Sequence, residues 1–255
     1  KGAFVVAPDH MLIPEAEDLE GEKDYLENDS LEKRRRFNRE SAEEFLPLAR
    51  ESGYRPIAPI HGMDLDERVK HARELLSIGY DAVALGGLAA RASNTRRAIS
   101  SVERIREETQ GAWLHVLGLS APPYLEAWDR IGVDSCDGAS HFQRAFNGGF
   151  YVHKDGELIK LDAARVDKDT KEPVEEVPDY VCQCKACRTL REHEIDTRTY
   201  GSNKNNMGRA AHNLNMLMRA HRARRSEPVH LVSCVSKKTD TAMPARQLYR
   251  SQWFS

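Results

Sequence analysis

The chain reads as an α/β protein, and three observations carry that reading. Short apolar runs alternate with helix-like segments in five steps between Phe4 and Asp137. Each run ends in polar residues or glycine. Only after residue 137 does the alternation give way to a hairpin pattern and a dense cysteine cluster. Regular strand-helix alternation implies a parallel sheet covered by helices, either an open doubly wound sheet or a barrel. A barrel of the (β/α)8 TIM type fits better. No dinucleotide-type glycine fingerprint or phosphate-binding lysine motif follows any run, and candidate polar residues recur at several strand ends instead of at one switch point.

Composition narrows the class. With 255 residues, 40% hydrophobic and 31% charged, the chain is expected to be a soluble globular protein of one large domain or one domain plus an appendage. A formal charge of −2 excludes a wholly basic nucleic-acid coat but leaves local patches open. No run approaches the ~18 apolar residues that cross a bilayer, and no signal-peptide core opens the chain, so a cytosolic location and no membrane partner are expected.

In order, Phe4 to Pro8 is a buried strand ending at Asp9-His10. A charged stretch from Glu15 to Arg36 leads into a helix that ends near Ser52-Gly53, and Pro56 to Ile60 is the next strand, ending at His61-Gly62. From Asp64 to Ile78, apolar residues at Leu65, Val69, Ala72, Leu75 and Leu76 have the spacing of a helix with one buried face, and Gly79 stops it. Asp81 to Leu85 is a strand with the tip Gly86-Gly87, Thr95 to Glu108 a helix, Ala112 to Leu117 a strand, and Leu125 to Arg130 a short helix. Gly132-Val-Asp-Ser-Cys-Asp137 then reads as a strand ending at Asp137, although an isolated Asp-Gly pair is more often a simple turn. Beyond it, residues 148–161 form a hairpin pattern with Asp155-Gly156 at the turn, and a charged connector runs from Asp162 to Glu176. The first strand starts without an initiator Met, and five strands cannot close an eight-stranded barrel. Further strands are therefore expected upstream of Lys1. The expected division is a partial barrel over 1–165, a metal-binding subdomain with the last barrel helix over 166–226, and the start of an additional element over 227–255.

Of five cysteines, three are packed into Cys182-Gln-Cys184-Lys-Ala-Cys187. That spacing is wrong for a disulfide framework and right for a metal. Three soft thiolates and one imidazole make a closed tetrahedral zinc site, structural because no coordination position stays open. On spacing, His212 in Ala210-Ala-His212-Asn213-Leu214 and the nearer His193 compete for the fourth place.

Cys-x-Cys-x-x-Cys followed about one long helix later by His-Asn-Leu resembles the zinc subdomain of the tRNA-guanine transglycosylase superfamily. Ala84-Leu-Gly86-Gly87-Leu88-Ala89 resembles that family's Gly-Gly-Leu base-binding strand end, His115-Val-Leu-Gly118 its next strand, and Gly132 to Asp137 the strand carrying its nucleophile. The resemblance runs from about Phe4 to Arg222. It implies an enzyme that replaces guanine in a polynucleotide with a 7-deazapurine base without cutting the backbone. Asp137 then matches the covalent nucleophile, and Asp9 the carboxylate that accepts from the purine N1–H and exocyclic amine. Gly86, Gly87 and Leu88 would offer backbone groups to the base, and His61 stands where the family usually has Gln.

The chain also departs from the family. Its Asp-Ser-Gly-Gly-Phe-Gln motif, which bears a second active-site Asp, does not occur here and would lie upstream of Lys1. His10-Met11-Leu12 replaces the usual Cys-bearing segment, and Ala139-Ser140-His141-Phe142 replaces the Pro-Thr-Arg run. Asp134-Ser135-x-Asp137 with Ser140 and Ala145-Phe146 resembles the superfamily's DNA-modifying branch. DNA is thus the implied polymer, with tRNA the alternative. A basic excess from Arg188 to Arg225 (Arg188, Arg191, Arg198, Lys204, Arg209, Arg219, Arg222, Arg224, Arg225) would suit phosphate contacts to either. A non-catalytic nucleic-acid-binding relative, acting as a homodimer or partner subunit, is the competing class.

Overall fold

The computed structural model describes residues 3–10, 12, 31–88, 94–154, 157–167, 169–170, 172–200 and 202–226. They fall into two bodies, the described residues up to 116 together with Val133–Ser135, and Leu117–Gly132 together with the described residues from 136 to 226.

The first body carries the alternation read from the sequence. Its elements are β1 (Phe4–Val6), α1 (Leu31–Glu51), β2 (Arg55–Ile60), α2 (Leu65–Ile78), β3 (Ala82–Leu85), α3 (Thr95–Glu108) and β4 (Trp113–Val116). With β5 (Ser135–Cys136) the strands form one five-stranded sheet in the order β1-β2-β3-β4-β5. The pairs β1–β2, β2–β3 and β3–β4 are parallel. A doubly wound sheet reverses its order at a switch point, and this run has no reversal. A closed eight-stranded barrel is not present among the described residues.

Local chemistry accounts for these elements. The Asp64 carboxylate accepts from the Glu67 N–H and caps α2, and Gly79, at φ 113°, ends it by donating to the Leu75 and Leu76 carbonyls. Val69, Ala72 and Leu75 are buried, as the spacing predicts. On α3, Ala98, Val102 and Ile105 are buried as well, each larger side chain contributing about 1.5–3 kcal/mol. The strands β2 and β3 are buried along almost their whole length, as two-sided strands of a parallel sheet must be.

The segment before β5 is fastened by polar groups. Asp134 N donates to Leu114 O at 3.0 Å. Asp134 Oδ2 accepts from Leu114 N at 2.9 Å and from Arg106 Nη2 at 3.1 Å. The Ser135 hydroxyl meets Trp113 Nε1 at 2.9 Å and His115 Nδ1 at 2.8 Å.

The second body contains α4 (Pro122–Ile131), α5 (Ser140–Phe146), the hairpin β6 (Gly149–Lys154) and β7 (Glu157–Asp162), and the parallel pair β8 (Ala164–Arg165) and β9 (Thr199–Tyr200). The helices α6 (Lys185–Glu192) and α7 (Asn203–Ser226) complete it. The hairpin pairs Gly149 with Asp162, and its expected turn at Asp155-Gly156 lies outside the described residues. The helix that carries Ala210-Ala-His212 starts well before it, at Asn203. The fully buried Arg209 explains why that first part holds. Its guanidinium donates to Thr197 O at 2.9 Å, Ala145 O at 2.6 Å and Asn206 Oδ1 at 2.8 Å, and also to Thr199 O. The expected element over 227–255, with Cys234, lies outside the described residues. Among them, no helix is long and apolar enough to cross a membrane.

Candidate active site and metal centre

In the first body, Asp9 and His61 come together at the ends of β1 and β2. Asp9 Oδ2 lies 3.2 Å from His61 Nε2. The approach is not aligned as a hydrogen bond, so Nε2 is a buried polar atom without one. The His61 N–H donates to His71 Nδ1 at 2.9 Å, which fixes that nitrogen of His71 as an unprotonated acceptor. Burial first, then the neighbouring His71 and Arg68, pull the His61 pKa down to about 4, so its ring is neutral at neutral pH. Burial pushes Asp9 above the usual carboxylate value. The backbone beside Asp9 is held by buried Asn38 on α1, which donates to His10 O at 2.9 Å and accepts from His10 N at 2.6 Å.

Gly86, Gly87 and Leu88 follow β3 directly. Gly87 has φ 69°, in the left-handed region that favours glycine, and the Leu88 side chain is core. The residue that organises this rim is Arg68 on α2, which sequence reading passed over. Its buried guanidinium donates to Gly62 O at 3.1 Å and to Gly86 O at 3.2 Å, tying together the loops after β2 and β3. A Cβ on Gly62 would stand 2.6 Å from Arg68 N, and one on Gly87 would stand 3.1 Å from Arg68 Nη2. The signal was in the sequence: Arg68, Ala72 and Leu75 share the buried face at helical spacing, and a charge on such a face needs partners.

In the second body, Asp137 is exposed and its Oδ1 accepts from Gly118 N at 2.6 Å. Gly138, at φ 155°, is packed so closely that a Cβ would stand 2.6 Å from Ser120 Oγ. Ser120 Oγ in turn bonds Ser140 Oγ at 2.9 Å. The two acids of Val-Asp-Ser-Cys-Asp thus separate by role: Asp134 is locked against Arg106 and backbone, whereas Asp137 stands at the surface on an oriented loop.

The cysteine cluster closes on His212. One ligand atom from each of Cys182, Cys184, Cys187 and His212 lies within 4.8 Å of the others, and all four residues are buried. His212 Nδ1 is 3.1 Å from Cys187 Sγ and 3.8 Å from Cys184 Sγ. Its Nε2 donates to Tyr151 O at 2.6 Å, which leaves Nδ1 as the lone-pair nitrogen facing the sulfurs. The donor set fits a structural zinc, with no fifth group among the four. The competitor His193 instead ends α6, outside the cluster. The neighbouring Asn213 binds Tyr151 N, Gly149 O and His141 O, joining α7 to β6 and to the start of α5.

The basic stretch behaves differently from its reading as a phosphate surface. Arg209 is buried, Arg198 is paired with Asp196 at 3.0 Å, Arg191 donates to Cys182 O at 2.7 Å, and Lys204 donates to His193 O at 3.0 Å. Arg188, Arg219 and Arg222 remain at the surface, and the side chains of Arg224 and Arg225 lie outside the described residues. Much of the excess charge satisfies the subdomain's own carbonyls.

Comparison with known proteins agrees with this geometry. The profile of the family described as "Queuine tRNA-ribosyltransferase" matches residues 20–227. A DNA-guanine transglycosylase of Salmonella montevideo is 28% identical over 109 residues, a match covering 41% of this chain and 25% of that protein. This chain therefore spans about a quarter of that relative's length. Since the profile takes in most of the chain, including Asp137 and all four cluster residues, the chain belongs to the tRNA-guanine transglycosylase family.

Proposed function

We propose that this chain is part of a transglycosylase that exchanges guanine in DNA for a 7-deazapurine base through a covalent intermediate on Asp137. The observation that carries the reading is the exposed Asp137 carboxylate, oriented by the Gly118 N–H directly after β5, in a chain of this family. In the first half-reaction one oxygen of Asp137 bonds to C1′ as the C1′–N9 bond breaks. The bonding pair leaves with guanine, which takes up a proton. In the second, the incoming base gives up its N9 proton, N9 bonds to C1′, and the carboxylate departs with the pair it had donated. Protons and charge balance over the exchange, and no oxidant is required.

Asp9, His61 and the Gly86-Gly87-Leu88 backbone are the proposed base-reading groups. An ionised Asp9 would accept from the purine N1–H and amine. The unaligned Nε2 of neutral His61 beside it supports a polar ligand in that place, because a buried ring nitrogen without a partner costs about 1–3 kcal/mol. Zinc would be held by Cys182, Cys184, Cys187 and His212 in a purely structural role, and the strands would belong to a TIM-type barrel completed elsewhere in the protein.

DNA is preferred because the Salmonella relative is named for DNA-guanine exchange. The family description names tRNA, which keeps that polymer as the second reading. The test incubates the full-length protein with labelled deazapurine base and either duplex DNA or total tRNA. Label entering DNA supports the proposal, and label entering only tRNA overturns the polymer assignment.

A further inference from the structure

A cleft of about 460 Å³ lies in the second body between the start of α4, the helix α5 and the β6–β7 hairpin. Its polar lining is Ser140, Gln143, Arg144, Asn147, Tyr151 and Lys160, and among the described residues no carboxylate lines it. The cleft adjoins the loop that bears Asp137. Gly118 holds the Asp137 carboxylate, Ser120 bonds Ser140, and Ser140 is already part of the cleft wall.

Arg144 is set in place before any ligand arrives. Its stem lies so close over Gly149 that a Cβ there would collide with Arg144 Cδ, and it lines the cleft beside Tyr151. Lys160 reaches the same cleft from β7, steadied at 3.3 Å by Asp162, which is itself not a lining residue. Two cations with hydroxyl and amide donors, in an open cleft with no lining acid among the described residues, match a phosphodiester group. Ala121, Pro122, Pro123 and Leu158 complete the wall as its apolar part, against which a sugar can rest.

We infer that this cleft binds a backbone phosphate flanking the nucleotide whose C1′ Asp137 attacks, with Arg144 and Lys160 as its charged contacts. The inference rests on the base-exchange reading and adds where the polynucleotide is gripped. It adds a contact to those that the exposed Arg188, Arg219 and Arg222 could make. Contacts of this kind fix register without reading sequence, so they position a target guanosine for flipping and attack.

The test measures binding of a short guanine-containing DNA duplex to the full-length protein as a function of salt, for the parent, Lys160→Ala and Arg144→Gln. Each variant should lower the salt slope by about one and raise KM for DNA, with KM for the free base unchanged. Zinc content and Tm report the fold. Because the Lys160 side chain is exposed, Lys160→Ala keeps the test valid even if Arg144→Gln fails to fold. An unchanged salt slope and KM for DNA in Lys160→Ala, while a covalent adduct on Asp137 still forms, overturns the cleft and leaves the base exchange standing. A reduced slope in a protein that forms no adduct keeps the cleft and removes the base exchange.

Discussion

His61 is the residue whose chemistry is most specific to this chain. Its ring is kept neutral by burial first and then by the neighbouring His71 and Arg68, with its pKa at about 4 against an ordinary 6.5. Because the folded value is the lower one, the unfolded chain binds the extra proton between pH 6.5 and 4. Stability is therefore fully present above pH 6.5 and is lost as pH falls through that window, by up to about 3 kcal/mol. Urea unfolding at pH 7 and pH 5 measures it, and His61→Gln should flatten the loss. Gln is also what the family usually carries here, so base exchange should survive this substitution. Asp9 works in the opposite sense: burial raises its pKa, so the acid limb of kcat/KM for the free base should begin above the usual carboxylate range. A limb unchanged in Asp9→Asn would remove Asp9 from base recognition.

At the scale of elements, α2 carries a prediction of its own. Arg68→Ala leaves the Gly62 and Gly86 carbonyls without their buried donor, at a cost of about 1–3 kcal/mol each. KM for the free base should rise roughly tenfold or more while KM for the polynucleotide holds, with Arg68→Lys in between. A fall in Tm with both constants intact would make Arg68 purely structural. For the cluster on α6 and α7, metal analysis should give about one zinc per chain, lost in Cys184→Ser and in His212→Ala and retained in His193→Ala. Much of this was legible in advance. The α2 face followed from apolar spacing and its Gly79 stop, and the cysteine trio announced itself by proximity. The short helix α5 and the pair β8–β9 were not legible, because two to seven residues are too few to show a period and are held by distant partners such as Arg209 and Asn213. In the basic stretch, sequence shows the charge but not that Arg209 is buried and Arg198 paired with Asp196.

For the whole molecule, the two bodies divide the chemistry proposed here. The base-reading groups follow β1, β2 and β3 in the first, while the nucleophile, the phosphate cleft and the metal centre belong to the second. The resemblance seen in the ordered motifs is supported by the family match over residues 20–227. The five strands in chain order agree with the barrel expectation as far as they run. What sequence pattern could not supply was the distinction between Asp134 and Asp137, three residues apart and alike in composition. In the structure the two differ in their surroundings: Asp134 is paired with Arg106, and Asp137 is exposed. The central claim is that Asp137 bonds to C1′. Its most direct measurement is denaturing electrophoresis of the full-length protein incubated with labelled DNA, followed by mass analysis of the adducted peptide. The account predicts an adduct on Asp137 that is absent from an Asp137→Asn variant with unchanged zinc and Tm; base exchange proceeding in that variant would contradict it.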